Sequence, residues 1–277
     1  MLEYRPPEQD FEFLLFELFK VQEQWADIPA FADISEDITR AVLSEGGRMA
    51  AEVMAPLNQS GDEEGCTWLD GEVSTPPGFK AAYDEIAGGG WLGLSGNPDY
   101  EGQGMPKLLG CLLEEMFWAA NSSLYLYGTL TTGASICIDN HGTEQQKATY
   151  LPKLYSGQWS GAMGLTESHA GTDLGIIRTR AVPAADGGYR ISGTKIFITS
   201  GEHDLTENVV HLVLAKLPDA PAGSRGISLF IVPKFLVDEQ GGIGERNGVA
   251  SGSLEHKMGI RGSATSVMNF DEAQGFI

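Results

Sequence analysis

The hydrophobic pattern changes its period near Gly157, and this change limits the possible folds more than any other feature of the sequence. Before it, apolar residues recur at helical spacing, as in the run Phe11, Leu14, Leu15, Leu18 and Phe19. After it, short apolar runs such as VVHLVLAKL and GISLFIVP are typical of strands. The pattern predicts an α+β fold, with an all-helical domain over residues 1–158 and a β domain over residues 159–277. Because the strands follow one another closely, we expect an antiparallel β-barrel or a small sandwich.

Local signals predict the ends of several elements. Asp33 with Glu36 is interpreted as the cap of one helix, and Thr143 with Gln146 as a capping box for another. The run SLYLYGTLTTGASICI contains Thr and Ile, which also suit strands, but its length favours a helix. The segments YRIS and KIFIT follow an Asp-Gly-Gly turn and are expected to be consecutive short strands.

Composition excludes several classes of protein. The chain has 18 Lys and Arg residues against 38 Asp and Glu, a net charge of −20, which opposes binding to nucleic acid. Its three cysteines are far apart and form no CxxC, so they are expected to be reduced thiols rather than a disulfide frame or metal site. We find neither a signal peptide nor an apolar run long enough to cross a bilayer, and we expect a cytoplasmic protein.

Motifs for several other chemistries are missing. The glycine-rich segments 88–96 and 101–106 do not match GxGxxG or a P-loop and are interpreted as loops between helices. The histidines are scattered without zinc spacing, and no GxSxG marks a nucleophilic serine. The sequence therefore predicts no metal site and no hydrolase elbow.

Two segments combine residue types that suit the binding of a ligand. Residues 163–175, MGLTESHAGTDLG, combine small hydroxyl side chains with exposed backbone amides, which let a chain approach a flat polar ligand. Residues 195–201, KIFITSG, form a strand whose alternation puts Phe197 and Thr199 on one face and Ile196 and Ile198 on the other. Taken singly, they also fit an ordinary loop and an ordinary half-buried strand.

Together the two segments resemble the acyl-CoA dehydrogenase family, which shows a TEP-x-AGSD-like loop followed by a K-x-W-I-T-N-G-like strand. Three more segments match the family in the same order: GGGWLGLSGNPDYEGQG, NHGTEQQKATYLPKLYSGQW and KMGIRGSATSVMNF. Five ordered matches from about residue 88 onward are hard to obtain by chance. The YRPP start resembles the larger bacterial branch that includes the 3-methylmercaptopropionyl-CoA dehydrogenases.

The resemblance implies that the chain binds FAD and an acyl-CoA substrate. By position, the residues expected at the flavin are Met163, Leu165, Thr166, Thr172, Phe197, Ile198 and Thr199. Those expected near the acyl-CoA are Thr172 and Arg261, and Ser263 and Thr265 lie in the same family segment as Arg261. The chain departs from the family pattern at three positions, where Ser168 replaces Pro, Phe197 replaces Trp and Ser200 replaces Asn. Phe keeps an apolar ring face but loses the indole N–H donor.

The resemblance also implies the reaction, α,β-dehydrogenation of an acyl-CoA thioester. This reaction needs a carboxylate base, which the family carries on a Glu of its C-terminal helical domain. No acidic residue here matches that Glu, so we assign no catalytic residue. We interpret the chain as a truncated N-terminal portion that is inactive alone and holds FAD weakly. In the full-length protein we expect a homo-oligomer with electron-transfer flavoprotein as the electron acceptor.

Three alternatives stay open from the sequence. The chain is also compatible with a non-catalytic flavin- or acyl-CoA-binding module that another chain completes. An acyl-CoA oxidase differs only in how oxygen reaches the flavin. A nucleic-acid-associated branch of the family is disfavoured by the net charge of −20 and by the lack of any basic run.

Overall fold

The computed structural model describes residues 4–238 and 240–277. Its first part is mainly helical. The helices are α1 Glu8–Glu12, α2 Val21–Ala26, α3 Glu36–Arg48, α4 Asn58–Glu64, α5 Phe79–Gly88, α6 Lys107–Ala120, α7 Ser122–His141 and α8 Glu144–Tyr155. Single π-helical segments, Phe13–Leu18 and Met49–Met54, continue α1 and α3. Within the described ranges, no helix has the length and apolar character needed to cross a bilayer.

The predicted helix caps are partly correct. Thr143 and Gln146 form the predicted capping box, with the Gln146 amide 3.2 Å from Thr143 Oγ1 and the Thr143 amide 2.8 Å from Gln146 Oε1. The cap of α3 was predicted at Asp33 and is wrong, because Ser35 accepts from the Ile38 amide instead. The ambiguous SLYLYGTLTTGASICI run is helical, as predicted from its length, and forms most of α7.

The helical region packs around a core that α6 dominates, with Leu109, Leu113, Met116 and Phe117 of α6 all buried. A Cβ atom placed on Gly46 of α3 would lie 2.0 Å from Leu113 Cδ2. A side chain at this position would therefore force Leu113 to move, so Gly46 suits the close packing of α3 on α6.

The second part forms a seven-stranded sheet that curls into a half-barrel, so the predicted α+β architecture is confirmed. Its strands are β3 Trp159–Gly164, β4 Arg180–Pro183, β5 Tyr189–Thr199, β6 Asn208–Lys216, β7 Ile227–Pro233, β10 Val249–Leu254 and β11 Thr265–Gly275. Their order is β10-β11-β5-β4-β6-β3, and β7 pairs with the other edge of β6. A separate hairpin joins β8 Phe235–Val237 to β9 Ile243–Arg246.

Three details of the strands differ from the expectation. Most strand pairs are antiparallel, but β6 runs parallel to β3 and to the start of β4. The chain forms β4 and β5 after β3 and then runs back beside β3 as β6. The segments YRIS and KIFIT are one continuous strand, β5, rather than two. A hairpin inside the helical region, β1 Thr67–Leu69 with β2 Glu72–Ser74, was not predicted.

Helix α7 joins the two regions. It packs against β3, where the Gly161 amide donates to Thr131 Oγ1 at 3.1 Å. A Cβ atom on Gly161 would lie 2.4 Å from Ala134 Cβ, so the contact between the helix and the strand depends on glycine. Strand β3 leads directly into the loop that begins at Leu165, and α7 therefore fixes where this loop starts.

Candidate functional site

The two chemistry-rich segments of the sequence lie side by side. The amide of Ile196 in β5 donates to the carbonyl oxygen of Thr166 at 2.8 Å. The ammonium of Lys195 donates to the carbonyl oxygen of Leu165 at 3.0 Å, across a separation of 30 residues in sequence. The loop after β3 and the far end of β5 are thus joined by consecutive hydrogen bonds.

The buried carboxylate of Glu167 binds the far end of this loop and Lys195 of β5. Its Oε2 accepts from the Arg178 amide at 2.7 Å. Its Oε1 accepts from the Thr179 amide at 3.0 Å, the Thr179 hydroxyl at 2.6 Å and the Lys195 ammonium at 2.9 Å. Burial by itself raises the pKa of Glu167, but these hydrogen bonds outweigh it and hold the pKa at about 2. Glu167 is therefore ionised and saturated with donors, and it does not serve as a proton acceptor near neutral pH.

A β-bulge breaks the alternation of β5 at Ile196 and Phe197. Ser266 of β11 pairs with Ile198 and Met268 pairs with Lys195, so Val267 faces two residues instead of one. Phe197 has a φ of +57°, a left-handed conformation that is rare for a bulky residue. In a regular strand, Lys195 and Phe197 would point to the same face of the sheet. At the bulge they do not, because Lys195 is fully buried while Phe197 is 52% exposed.

The side chains of the other predicted flavin residues differ in their exposure to solvent. Met163 at the end of β3, Leu165 and Thr166 are half-buried, while Thr172 is exposed on the loop. Ile198 is buried among the sheet's apolar side chains, so only its backbone can meet a ligand. The structure brings the backbones of both segments together, and the grouping of their side chains around one ligand stays a prediction.

The predicted substrate residue Arg261 lies in an adjacent groove of about 390 Å³. One wall of the groove comes from the segment between α4 and β1, and the opposite wall from the ends of β10 and β11. Besides Arg261, its lining includes Cys66, Trp68, Ser263 and Thr265. Since Thr265 pairs with Thr199 in the sheet, the groove borders the strand that carries Phe197.

Buried hydroxyl groups near this groove lack partners. The side-chain oxygens of Ser200, Ser263, Thr265 and Ser266 are buried and, among the described residues, make no hydrogen bond. Such groups are costly to leave unpaired, so each needs a partner such as water or a polar ligand. The family resemblance places Ser263 and Thr265 near the acyl-CoA, and the hydroxyl-rich run at residues 263–266 adds Ser266 to them.

A buried Ser–His contact elsewhere in the structure is not a nucleophilic pair. His203 Nε2 lies 2.9 Å from Ser160 Oγ, but His203 Nδ1 accepts from the Leu205 amide at 3.2 Å. The proton of the neutral ring is therefore on Nε2 and points at the serine, so the ring cannot remove the serine proton. Burial also lowers the pKa of His203 to about 3. Among the described residues, no group of His, Cys, Asp and Glu is arranged to hold a metal ion.

Comparison with known proteins identifies the family. The family model for the acyl-CoA dehydrogenase N-terminal domain matches residues 39–158, and the model for the acyl-CoA dehydrogenase middle domain matches residues 162–273. The chain belongs to the acyl-CoA dehydrogenase family.

Individual relatives agree with this assignment. The chain is 47% identical to the 3-methylmercaptopropionyl-CoA dehydrogenase of Ruegeria pomeroyi, over 99% of its own length and 46% of the relative's. It thus spans a little under half the length of this relative. An acyl-CoA dehydrogenase of Bacillus anthracis, solved in complex with FAD, is 25% identical with a TM-score of 0.69, over 88% of this chain and 37% of that one. A chain in the structure of the electron transferring flavoprotein of Acidaminococcus fermentans is 27% identical with a TM-score of 0.69, over 87% and 57%.

Proposed function

We propose that this chain supplies the FAD-binding and acyl-CoA-binding parts of an FAD-dependent acyl-CoA dehydrogenase. The observation that carries the proposal is the hydrogen bond from the Ile196 amide to the Thr166 carbonyl, which joins the two family motifs into one surface. In this proposal the flavin is held by the predicted residues Met163, Leu165, Thr166, Thr172, Phe197, Ile198 and Thr199. The substrate is held by Thr172 and Arg261, and the division into domains falls between residues 158 and 159.

The chemistry of the residues fits a flavin. The half-exposed ring of Phe197 offers an apolar face on which a planar ring system can pack. The exposed Thr172 and half-buried Thr166 offer hydroxyls and amides for polar ligand edges, and the unpartnered Ser200 and Thr265 lie at the end of the same strand pair. A ligand that fills this area would pair with the accessible hydroxyls and amides of Thr166 and Thr172.

The reaction that we assign removes a proton from the carbon α to a thioester and a hydride from the β carbon. A bound flavin supplies the two-electron acceptor for the hydride. The chain's own residues position the ring and the substrate, and Arg261 places a positive charge in a groove that Glu63, Glu64 and Glu255 also line. Because Glu167 is saturated with donors, we propose that Glu167 is not the general base of this reaction. Similarity to a chain of an electron transferring flavoprotein structure supports such a protein as the electron acceptor.

Flavin titration tests the proposal. We expect FAD fluorescence to change on addition of the chain, with weak affinity and no dehydrogenation of acyl-CoA by an artificial electron acceptor. Phe197→Ala should weaken FAD binding, while Phe19→Ala, which removes a ring that is 51% exposed in the helical region, should not. Equal effects of the two substitutions, or no FAD binding at all, would reject the proposed site. Turnover by the isolated chain would place the base within residues 1–277.

A further inference from the structure

The ion pair between Lys195 and Glu167 is enclosed in the sheet region. Lys195 is 0% exposed and Glu167 is 5% exposed, and their charged atoms lie 2.9 Å apart. A buried ion pair stabilises a fold little, because the cost of removing both charges from water offsets their attraction. Apolar side chains of similar size would fill the same space. The pair is therefore better explained by the geometry that it imposes than by its energy.

The carboxylate of Glu167, together with Lys195, links the start of the loop, the end of the loop and strand β5. Lys195 lies immediately before the bulge, and its ammonium binds both Leu165 O and Glu167 Oε1. The Ile196 amide, which lies at the bulge, donates to the Thr166 carbonyl. Glu167 also binds the backbone amides of Arg178 and Thr179 at the far end of the loop. Both ends of the loop and the strand before Phe197 thus converge on the same two side chains.

We propose that Lys195 and Glu167 are positioning residues that hold the loop over residues 165–179 at a set distance from the Phe197 bulge. This inference rests on the proposed function, because the two elements that the pair joins are those assigned to the flavin. The pair does not touch the ligand in this proposal. It arranges the binding surface before the ligand arrives, which lowers the ordering cost of binding.

The chain contains a matched control. Lys234 and Glu202 form a second buried ion pair, with 2.5 Å between Lys234 Nζ and Glu202 Oε1. Lys234 also binds Glu72 of the β1–β2 hairpin, and neither partner contacts the loop over residues 165–179 through a described ion pair or hydrogen bond. Removal of Lys234 takes the nearer cation from a buried carboxylate, as removal of Lys195 does, and leaves Glu202 with Arg246 at 3.8 Å. Neither Lys234 nor Glu202 is among the residues proposed at the flavin.

The test compares Lys195→Met with Lys234→Met. Urea unfolding measures stability, amide hydrogen exchange measures protection of residues 163–175 and 195–200, and flavin fluorescence measures the FAD dissociation constant. We expect both variants to lose stability. Only Lys195→Met should raise exchange in the two segments and weaken FAD binding by about tenfold or more, by analogy with the loss of metal affinity when groups that orient metal ligands are removed.

A double variant separates positioning from stability. Lys195→Met with Glu167→Gln contains no uncompensated buried charge, so part of the stability should return while FAD binding stays weak. If FAD affinity returns together with stability, or if Lys195→Met keeps wild-type exchange in the loop, the positioning role is overturned. If the wild-type chain binds no FAD, the proposed function fails, and the exchange data still decide whether the pair holds the loop.

Discussion

The phenol oxygen of Tyr127 accepts a hydrogen bond from the amide of Ala264 at 2.8 Å, although the two residues are 137 positions apart in sequence. The same phenol donates to the carbonyl oxygen of Gly262 at 3.1 Å. Tyr127 belongs to α7, so the helical region holds the turn that leads into β11. This turn carries Ser263 into the groove beside Arg261, and a helix thus shapes a site that lies mostly on the sheet.

Tyr127→Phe should therefore destabilise the fold. The buried Ala264 amide loses its acceptor, and we expect a loss of about 1–3 kcal/mol. Tyr83→Phe is the control, because Tyr83 is equally buried but makes one longer bond, 3.3 Å to the Gly157 carbonyl. Its loss should be smaller, about 0.5–1.5 kcal/mol. Urea denaturation measures both losses of unfolding free energy. Equal losses would show that the hydrogen bond to the Ala264 amide stabilises the fold no more than the single bond of Tyr83 does.

We expect glycine at position 197 to destabilise the fold less than alanine does. Glycine normally weakens a strand, but Phe197 has a φ of +57°, where a Cβ atom costs roughly 1–2 kcal/mol. Both substitutions remove the ring, so their difference in unfolding free energy isolates the backbone. We expect Phe197→Gly to be about 1 kcal/mol more stable than Phe197→Ala. The reverse order would contradict the left-handed conformation at the bulge.

The β1–β2 hairpin offers a second test of backbone conformation. Gly71 in its turn has a φ of +91°, so Gly71→Ala should destabilise by about 1–2 kcal/mol. Gly88 ends α5 in the right-handed region, and an added Cβ atom there meets nothing within 4 Å. Gly88→Ala should therefore stabilise by up to about 1 kcal/mol. Thermal unfolding of both variants checks the opposite signs, and shifts in the same direction would contradict the left-handed conformation of Gly71.

Stability should fall with acidification through the titration of His203. Burial, with smaller effects of Lys234 and His211, lowers its pKa from 6.5 to about 3 in the folded chain. Below pH 6.5 the unfolded chain therefore binds more protons than the folded chain. The stabilisation is complete above about pH 6.5 and is lost progressively toward pH 3.

A substitution series checks this sign. His203→Gln should show a shallower fall of unfolding free energy between about pH 6.5 and 4 than the wild type, since one titrating group contributes at most about 1.4 kcal/mol per pH unit. His211, whose pKa burial lowers to about 4, contributes in the same direction and stays in the variant. The exposed His141→Gln serves as control. An unchanged slope in His203→Gln would contradict a neutral buried ring.

Much of the architecture could be predicted from local sequence. The change of period near Gly157 predicted helices before strands, and the Thr143–Gln146 pair predicted a capping box, because both depend on neighbours within a few residues. The β1–β2 hairpin carried a readable Asp70–Gly71 turn signal that was overlooked, and both residues adopt the positive φ that this signal predicts. The Ser35 cap was missed because several polar residues precede α3 and any of them could cap it.

What the sequence determined by itself is the order of elements, the family resemblance and the two segments that carry its motifs. Only the tertiary structure decided that Lys195 turns inward to Glu167 while Phe197 turns outward, because the bulge arises from register with β11. It also decided the parallel pairing of β3 with β6 and the anchoring of Ala264 by Tyr127. These features depend on hydrogen bonds between residues far apart in sequence, and such pairings form only when the whole fold brings buried polar groups to each other.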